Sequence, residues 1–225
     1  VTEYLSAATK ATTARRALLV LALVALVGAG TIMGYFSILD LVGINRATEE
    51  DATRSFATVR TANSLLLVLI PAVWFYLLRW LRASVRNAHA LQAPHPVVGL
   101  AEIDRTVALS AIPGPLIGQP GRLLVTHTKS LAEAHGATGG SRSNVGLGSA
   151  RWAGRLSLLV APLWIGGLIR SHSDHHAVIW VAIGWVTLSA VAVLLRQAIA
   201  KVQLSEALQS ALVTAEQRSG ARAGR

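Results

Sequence analysis

The side chains best suited to chemistry gather in one short turn, where His172, Asp174, His175 and His176 stand within five residues. Imidazole and carboxylate ligands of this kind suit zinc or copper. Adjacent His175 and His176 point in different directions on most backbones, however, and a solvated polar turn accounts for the same letters. A second group, His127 and His135 with Lys129 and Glu133, offers acid and base functions. No nucleophile stands at a matching spacing, and Leu123 to Ala134 reads as an amphipathic helix with solvated polar positions. Gly146, Gly148 and Arg151 have the look of a phosphate-binding glycine loop, but no strand precedes them and no Walker lysine or acidic ribose partner follows. Cysteine is absent, which excludes disulfides, thiolate metal sites and cysteine nucleophiles. No catalytic residue, cofactor site or metal site is therefore assigned, and the chain is expected not to be an enzyme.

What would position any of these groups is a series of long apolar blocks. Hydrophobic residues make up 52% of the 225-residue chain and the mean hydropathy is +0.50, too apolar for an ordinary soluble domain. After a polar tail carrying Lys10, Arg15 and Arg16, an uncharged run covers Ala17 to Leu39. At about 1.5 Å per residue it reaches roughly 35 Å, against a hydrocarbon core of about 30 Å. A secretory signal peptide is the rival reading of this end, but the apolar run continues through Met33, Tyr35, Phe36 and Ile38. Gly30 and Gly34 form a GxxxG pair that would let another helix approach closely.

Gly43 to Thr61 is polar and reads as a loop, helical near Arg54 to Arg60. The second span follows, kinked at Pro71 and anchored by Trp74, Tyr76, Trp80, Arg79, Arg82 and Arg86. A third span covers Trp152 to Ile169, interrupted at Pro162 and anchored by Trp152 and Arg155, and a fourth covers Ala177 to Leu195. Beyond Arg196 an apolar face at Ile199, Val202, Leu204, Leu208 and Ala211 predicts that the last helix projects past the membrane.

Between the second and third spans lies AIPGPLIGQPGR, Ala111 to Arg122. It is apolar enough to enter a bilayer, but Pro113, Pro115, Gly118, Pro120 and Gly121 break any helix that would cross one. A bent course is expected, interfacial or re-entrant.

The resulting expectation is an all-α integral membrane protein. Four transmembrane helices, at about 17–42, 62–81, 152–169 and 177–195, form two hairpins with the Pro/Gly-broken segment between them. Residues 1–16 form an N-terminal tail, 17–195 one membrane domain with a central segment at 82–151, and 196–225 a helical extension with a basic tail. Lys and Arg divide 17 to 4 between the two sides, which puts both termini and the central segment in the cytoplasm. The Arg bias and the Ala, Val and Gly content suggest a GC-rich bacterial coding sequence and a bacterial inner membrane.

A formal charge of +10 is read as attraction to anionic lipid rather than nucleic acid, since the basic segments lack interleaved aromatic platforms.

LRWLRASVRNAHAL at Leu78 to Leu91, the Pro-x6-Pro spacing of Pro113 and Pro120, the Trp-led third span at Trp152 and the closing Arg196-Gln197 pair together resemble the DUF4328 family of bacterial membrane proteins. The aromatic residues usual in that family's central Pro motif are missing here, and Leu116 stands where a polar residue is common. The resemblance implies four spans and no activity, because the family is one of unknown function. The functional expectation is an accessory subunit or scaffold of a membrane protein complex, binding other membrane proteins or itself. The alternative is a small oligomeric transporter or channel whose broken central segment lines the pathway.

Overall fold

Four helices carry almost all of residues 7–90, 144–171 and 177–223, the part of the chain described by the computed structural model. They are α1 (Ala8–Gly43), α2 (Glu49–Ala90), α3 (Asn144–Ser171) and α4 (Val178–Ala223). Pro113, Pro115, Gly118, Pro120 and Gly121, the pair His127 and His135, and the turn His172 to His176 lie outside the described residues. All four helices are long and apolar enough to cross a membrane, as a multi-pass membrane protein requires.

The helices begin earlier and end later than the apolar runs alone indicate. α1 is already helical at Ala8, inside the stretch expected as a tail, and α4 continues to Ala223, past Ser219 and Gly220. Only residues 44–48 separate α1 from α2, so most of the polar stretch expected as a loop is helix. Its start is built by reciprocal capping: the Asp51 N–H donates to Thr48 Oγ1 at 3.2 Å, and the Thr48 N–H donates to Asp51 Oδ2 at 3.0 Å. Glu49, Glu50 and Asp51 in the first turn favour the positive end of the helix dipole. At the end of α1 the Arg46 N–H reaches Leu41 O at 2.8 Å and the Asn45 N–H reaches Val42 O at 3.0 Å. These two bonds are a Schellman closure. It requires a left-handed residue, supplied by Asn45 at φ 55° rather than by a glycine. α2 and α3 each run as one helix through Pro71 and Pro162.

α1 packs on both α2 and α4, and α3 packs on α4. Contacts fix the directions: Gly28 meets Leu66 and Tyr35 meets Phe56, so α1 and α2 run antiparallel. Gln203 Nε2 donates to Ala8 O, and Gly28 also lies near Trp185, so α1 and α4 run antiparallel too.

The buried stripes repeat every seven residues: Ala11, Leu18, Ala25 and Ile32 on α1; Val59, Leu66, Val73, Trp80 and Asn87 on α2; Trp185, Ala192, Ile199 and Glu206 on α4. A heptad repeat keeps one seam of a straight helix facing its neighbours. Ala11, Ala14, Ala22, Ala25 and Ala29 make the inner face of α1 small, which admits helices on two sides. The opposite faces carry exposed large apolar side chains, among them Leu23 and Val27 on α1, Val68 and Phe75 on α2, Leu159 and Ile169 on α3 and Ile183 and Val186 on α4. Such faces suit hydrocarbon as solvent.

Candidate functional site

α1 packs along both α2 and α4, while α2 and α4 meet through side chains, and their meeting point late in both helices is polar. There the α2 stripe continues from Leu77 through Trp80 and Ser84 to Asn87, and the α4 stripe continues from Ile199 and Val202 to Glu206. Ser84 is 0% exposed, Asn87 1% and Glu206 3%. The Ser84 hydroxyl donates to Glu206 Oε1, tying together two residues 122 positions apart in the chain. Trp80 Nε1 is buried without a hydrogen-bond partner among the described residues, and the Asn87 amide faces the Glu206 carboxyl. Burial pushes the Glu206 carboxyl above its ordinary range, while the Ser84 hydroxyl and the Asn87 amide pull the other way. The chemistry available to this cluster is the uptake and release of one proton at a helix junction.

A second polar contact joins α2 and α4 earlier in both helices. Trp185 Nε1 donates to Asn63 Oδ1 at 2.9 Å, beside the Gly28 backbone, and the Trp185 ring sits 5.6 Å from that of Trp164. Here α1, α2 and α4 come together, and a Cβ at Gly28 would lie 3.1 Å from Leu66 Cδ1.

Glu206 was not visible among the singled-out residues because the α4 extension reads as a surface helix. The signal that finds it is the seven-residue spacing from Trp185 through Ala192 and Ile199. The expected apolar face of that extension is only partly used: Ile199 and Val202 are buried, whereas Leu204 is exposed.

The residues singled out by sequence fall in different places. Gly30 and Gly34 are exposed, and nothing lies within 4 Å of a Cβ built at either, so their face is open within this chain. Close approach is made instead at Gly167, where a Cβ would lie 2.9 Å from the Val181 backbone nitrogen. Arg79, Arg82 and Arg86 are exposed and Trp74 is half-buried. Trp80 differs from its expected place as an interface anchor. It is 1% exposed because it occupies the inward heptad position, three residues from Leu77 and four from Ser84. Trp152 is exposed, with the Arg155 guanidinium stacked 5.4 Å from its ring centroid. Among the described residues no three His, Asp or Glu side chains come together to hold a metal ion.

Fold and site together define a protein whose described residues are helical, with four helices capable of crossing a membrane and a buried carboxyl where α4 meets the later part of α2. No family model, no curated protein and no solved structure matches this chain.

Proposed function

We propose that the chain is a non-enzymatic integral membrane protein that serves as an accessory subunit or scaffold of a membrane protein complex. One observation carries the reading: α1 has two small-residue faces, of which the alanine face is occupied by α2 and α4 while the Gly30 and Gly34 face is open. An exposed GxxxG pair lets a helix of another chain, or of a second copy, approach closely.

The same reading places the protein in a bacterial inner membrane with both termini in the cytoplasm, the spans paired as two hairpins around the Pro/Gly-broken segment, and DUF4328-like relatives. Its support is the 17 to 4 division of basic residues together with the Gln203–Ala8 and Ser84–Glu206 contacts, which bring the start of α1 and the later parts of α2 and α4 to one end.

Solubilisation in mild detergent followed by affinity purification tests the proposal. Stoichiometric co-purification of another membrane protein, or a stable homo-oligomer, supports it; an isolated monomer under every mild condition overturns it. The second reading, a small oligomeric transporter, draws on buried Glu206 as a protonatable group. Proton-dependent flux in proteoliposomes above protein-free controls would favour it.

A further inference from the structure

Two donors on neighbouring helices are buried with nothing to donate to. Arg15 Nε on α1 and Trp80 Nε1 on α2 have no hydrogen-bond partner among the described residues. Burying a donor without an acceptor is costly, so such groups mark a place where an acceptor belongs. Arg15 and, on α4, Arg196 are half-buried, and neither forms an ion pair among the described residues.

The heptad register brings these three side chains to one level. Gln203 Nε2 donates to Ala8 O. Arg15 stands seven residues after Ala8 and Arg196 seven before Gln203, so on these antiparallel helices both lie two turns from that contact and on the same stripes. Gly28 lies against Leu66. Fourteen residues back along α1 and fourteen on along α2, the same two stripes hold Ala14 and Trp80, each 1% exposed. Arg15, Trp80 and Arg196 therefore reach one level from three helices.

That level is the rim of the apolar core. Arg15 and Arg16 directly precede the uncharged run from Ala17, Arg196 directly follows the run that ends at Leu195, and Trp80 stands at the end of the second apolar run. The headgroup phosphates of a bilayer leaflet lie at such a rim. Along the three helices the nearest carboxyl is that of Glu206, ten residues past Arg196 and so about 15 Å along the axis. It accepts the Ser84 hydroxyl, and its proton affinity is set by burial, Ser84 and Asn87, with no arginine taking part.

We infer that the junction of α1, α2 and α4 at Arg15, Trp80 and Arg196 is a binding site for a phosphate oxyanion, gripped by the two guanidinium groups with the indole N–H as a third donor. The donor set selects the class. Two planar forks and a neutral N–H, brought by three helices, suit an ion whose acceptor oxygens point in several directions, as those of phosphate do and the two coplanar oxygens of a carboxylate do not. The depth admits two sources of that chemistry, the phosphodiester of a membrane lipid and free phosphate. The inference rests on the helix register and is independent of the scaffold role.

The test uses the full chain in non-ionic detergent. Calorimetric titration follows inorganic phosphate at constant ionic strength, and native mass spectrometry counts bound dioleoylphosphatidylglycerol against dioleoylglycerol, which has the same chains and no phosphate. The wild type is expected to bind at least one of the two phosphate probes at one site per chain. R15Q and R196Q should each weaken that binding at least about tenfold, and W80F, which removes only the N–H donor, about threefold. R15K keeps the charge without the fork and should fall between R15Q and the wild type. R16Q/R86Q removes two charges from exposed positions at the same end and should stay within about twofold of the wild type. Lipid binding that millimolar phosphate does not displace identifies the headgroup as the source; displacement, or binding of phosphate alone, identifies the free ion. Failure of both probes to bind at a single site overturns the inference. Undiminished binding in R15Q and R196Q, or an equal loss in R16Q/R86Q, overturns it as well. Unchanged far-ultraviolet dichroism guards against misfolding, and if the Gln variants do not fold, undiminished binding in both R15K and W80F overturns the site. Co-purification of partners is a separate readout, so failure here leaves the scaffold reading standing.

Discussion

Where α2 and α4 converge, the Glu206 carboxyl is enclosed by Ser84 and Asn87, and its proton affinity follows from that enclosure. Burial raises its folded pKa above the ordinary value of 4.5, so the folded protein holds a proton that the unfolded chain has already released. By linkage the contribution of the protonated carboxyl to stability is fully present below that ordinary value and is lost as the pH rises through the raised one. Glu206→Gln keeps an oxygen to accept the Ser84 hydroxyl and cannot ionise. The variant should match the wild type near pH 4 in thermal unfolding and exceed it above pH 7 by on the order of 1 kcal/mol. Parallel stability curves across that range would show that the carboxyl does not titrate with the fold. A single Glu on a polar extension offers no such information by itself; its burial depends on α2 arriving from the distant half of the sequence, and only the heptad spacing from Trp185 hints at it.

The four apolar helices are legible at the level of single elements because hydrocarbon depth demands long uncharged runs, and such runs are conspicuous. Their true lengths are less so, since capping by Thr48 and Asp51 and the acidic first turn extend α2 through residues whose polarity alone suggests a loop. Which small residues meet another helix is least legible of all, because a GxxxG pair looks the same whether it faces a neighbour or the outside. Gly167 and the Gly30 and Gly34 pair separate these cases. Gly167→Ala would bring its Cβ to 2.8 Å from Val181 Cγ2 and 2.9 Å from the Val181 nitrogen, so the α3–α4 contact must open, at about 1–3 kcal/mol. Gly30→Leu and Gly34→Leu meet nothing within the chain and should leave the thermal stability of the monomer unchanged. They should instead weaken association, by about 1 kcal/mol, in a sedimentation or dimerisation assay. Equal thermal destabilisation by all three glycine substitutions would contradict this division between inner and outer faces.

Taken as a whole, the molecule has α1 at its centre, flanked by α2 and α4, with α3 added on the far side of α4. The start of α1 lies by Gln203 on α4, and Ser84 near the end of α2 lies by Glu206, so the start of α1 and the later parts of α2 and α4 share one end of the assembly. The loop at 44–48, with exposed Asn45 and Arg46, belongs to the other end. Basic residues concentrate at the first of these ends, the one that the proposed topology turns toward the cytoplasm. The absence of cysteine makes the arrangement directly measurable with single-cysteine variants. A thiol reagent that cannot cross membranes, applied to intact cells, should label Arg46→Cys and Ser173→Cys and should reach Thr9→Cys and Ser219→Cys only after the membrane is opened. Labelling of Thr9→Cys and Ser219→Cys in intact cells, with Arg46→Cys and Ser173→Cys protected, would contradict the orientation; labelling of all four, with a cytoplasmic control protein still protected, would contradict the spanning of the membrane itself.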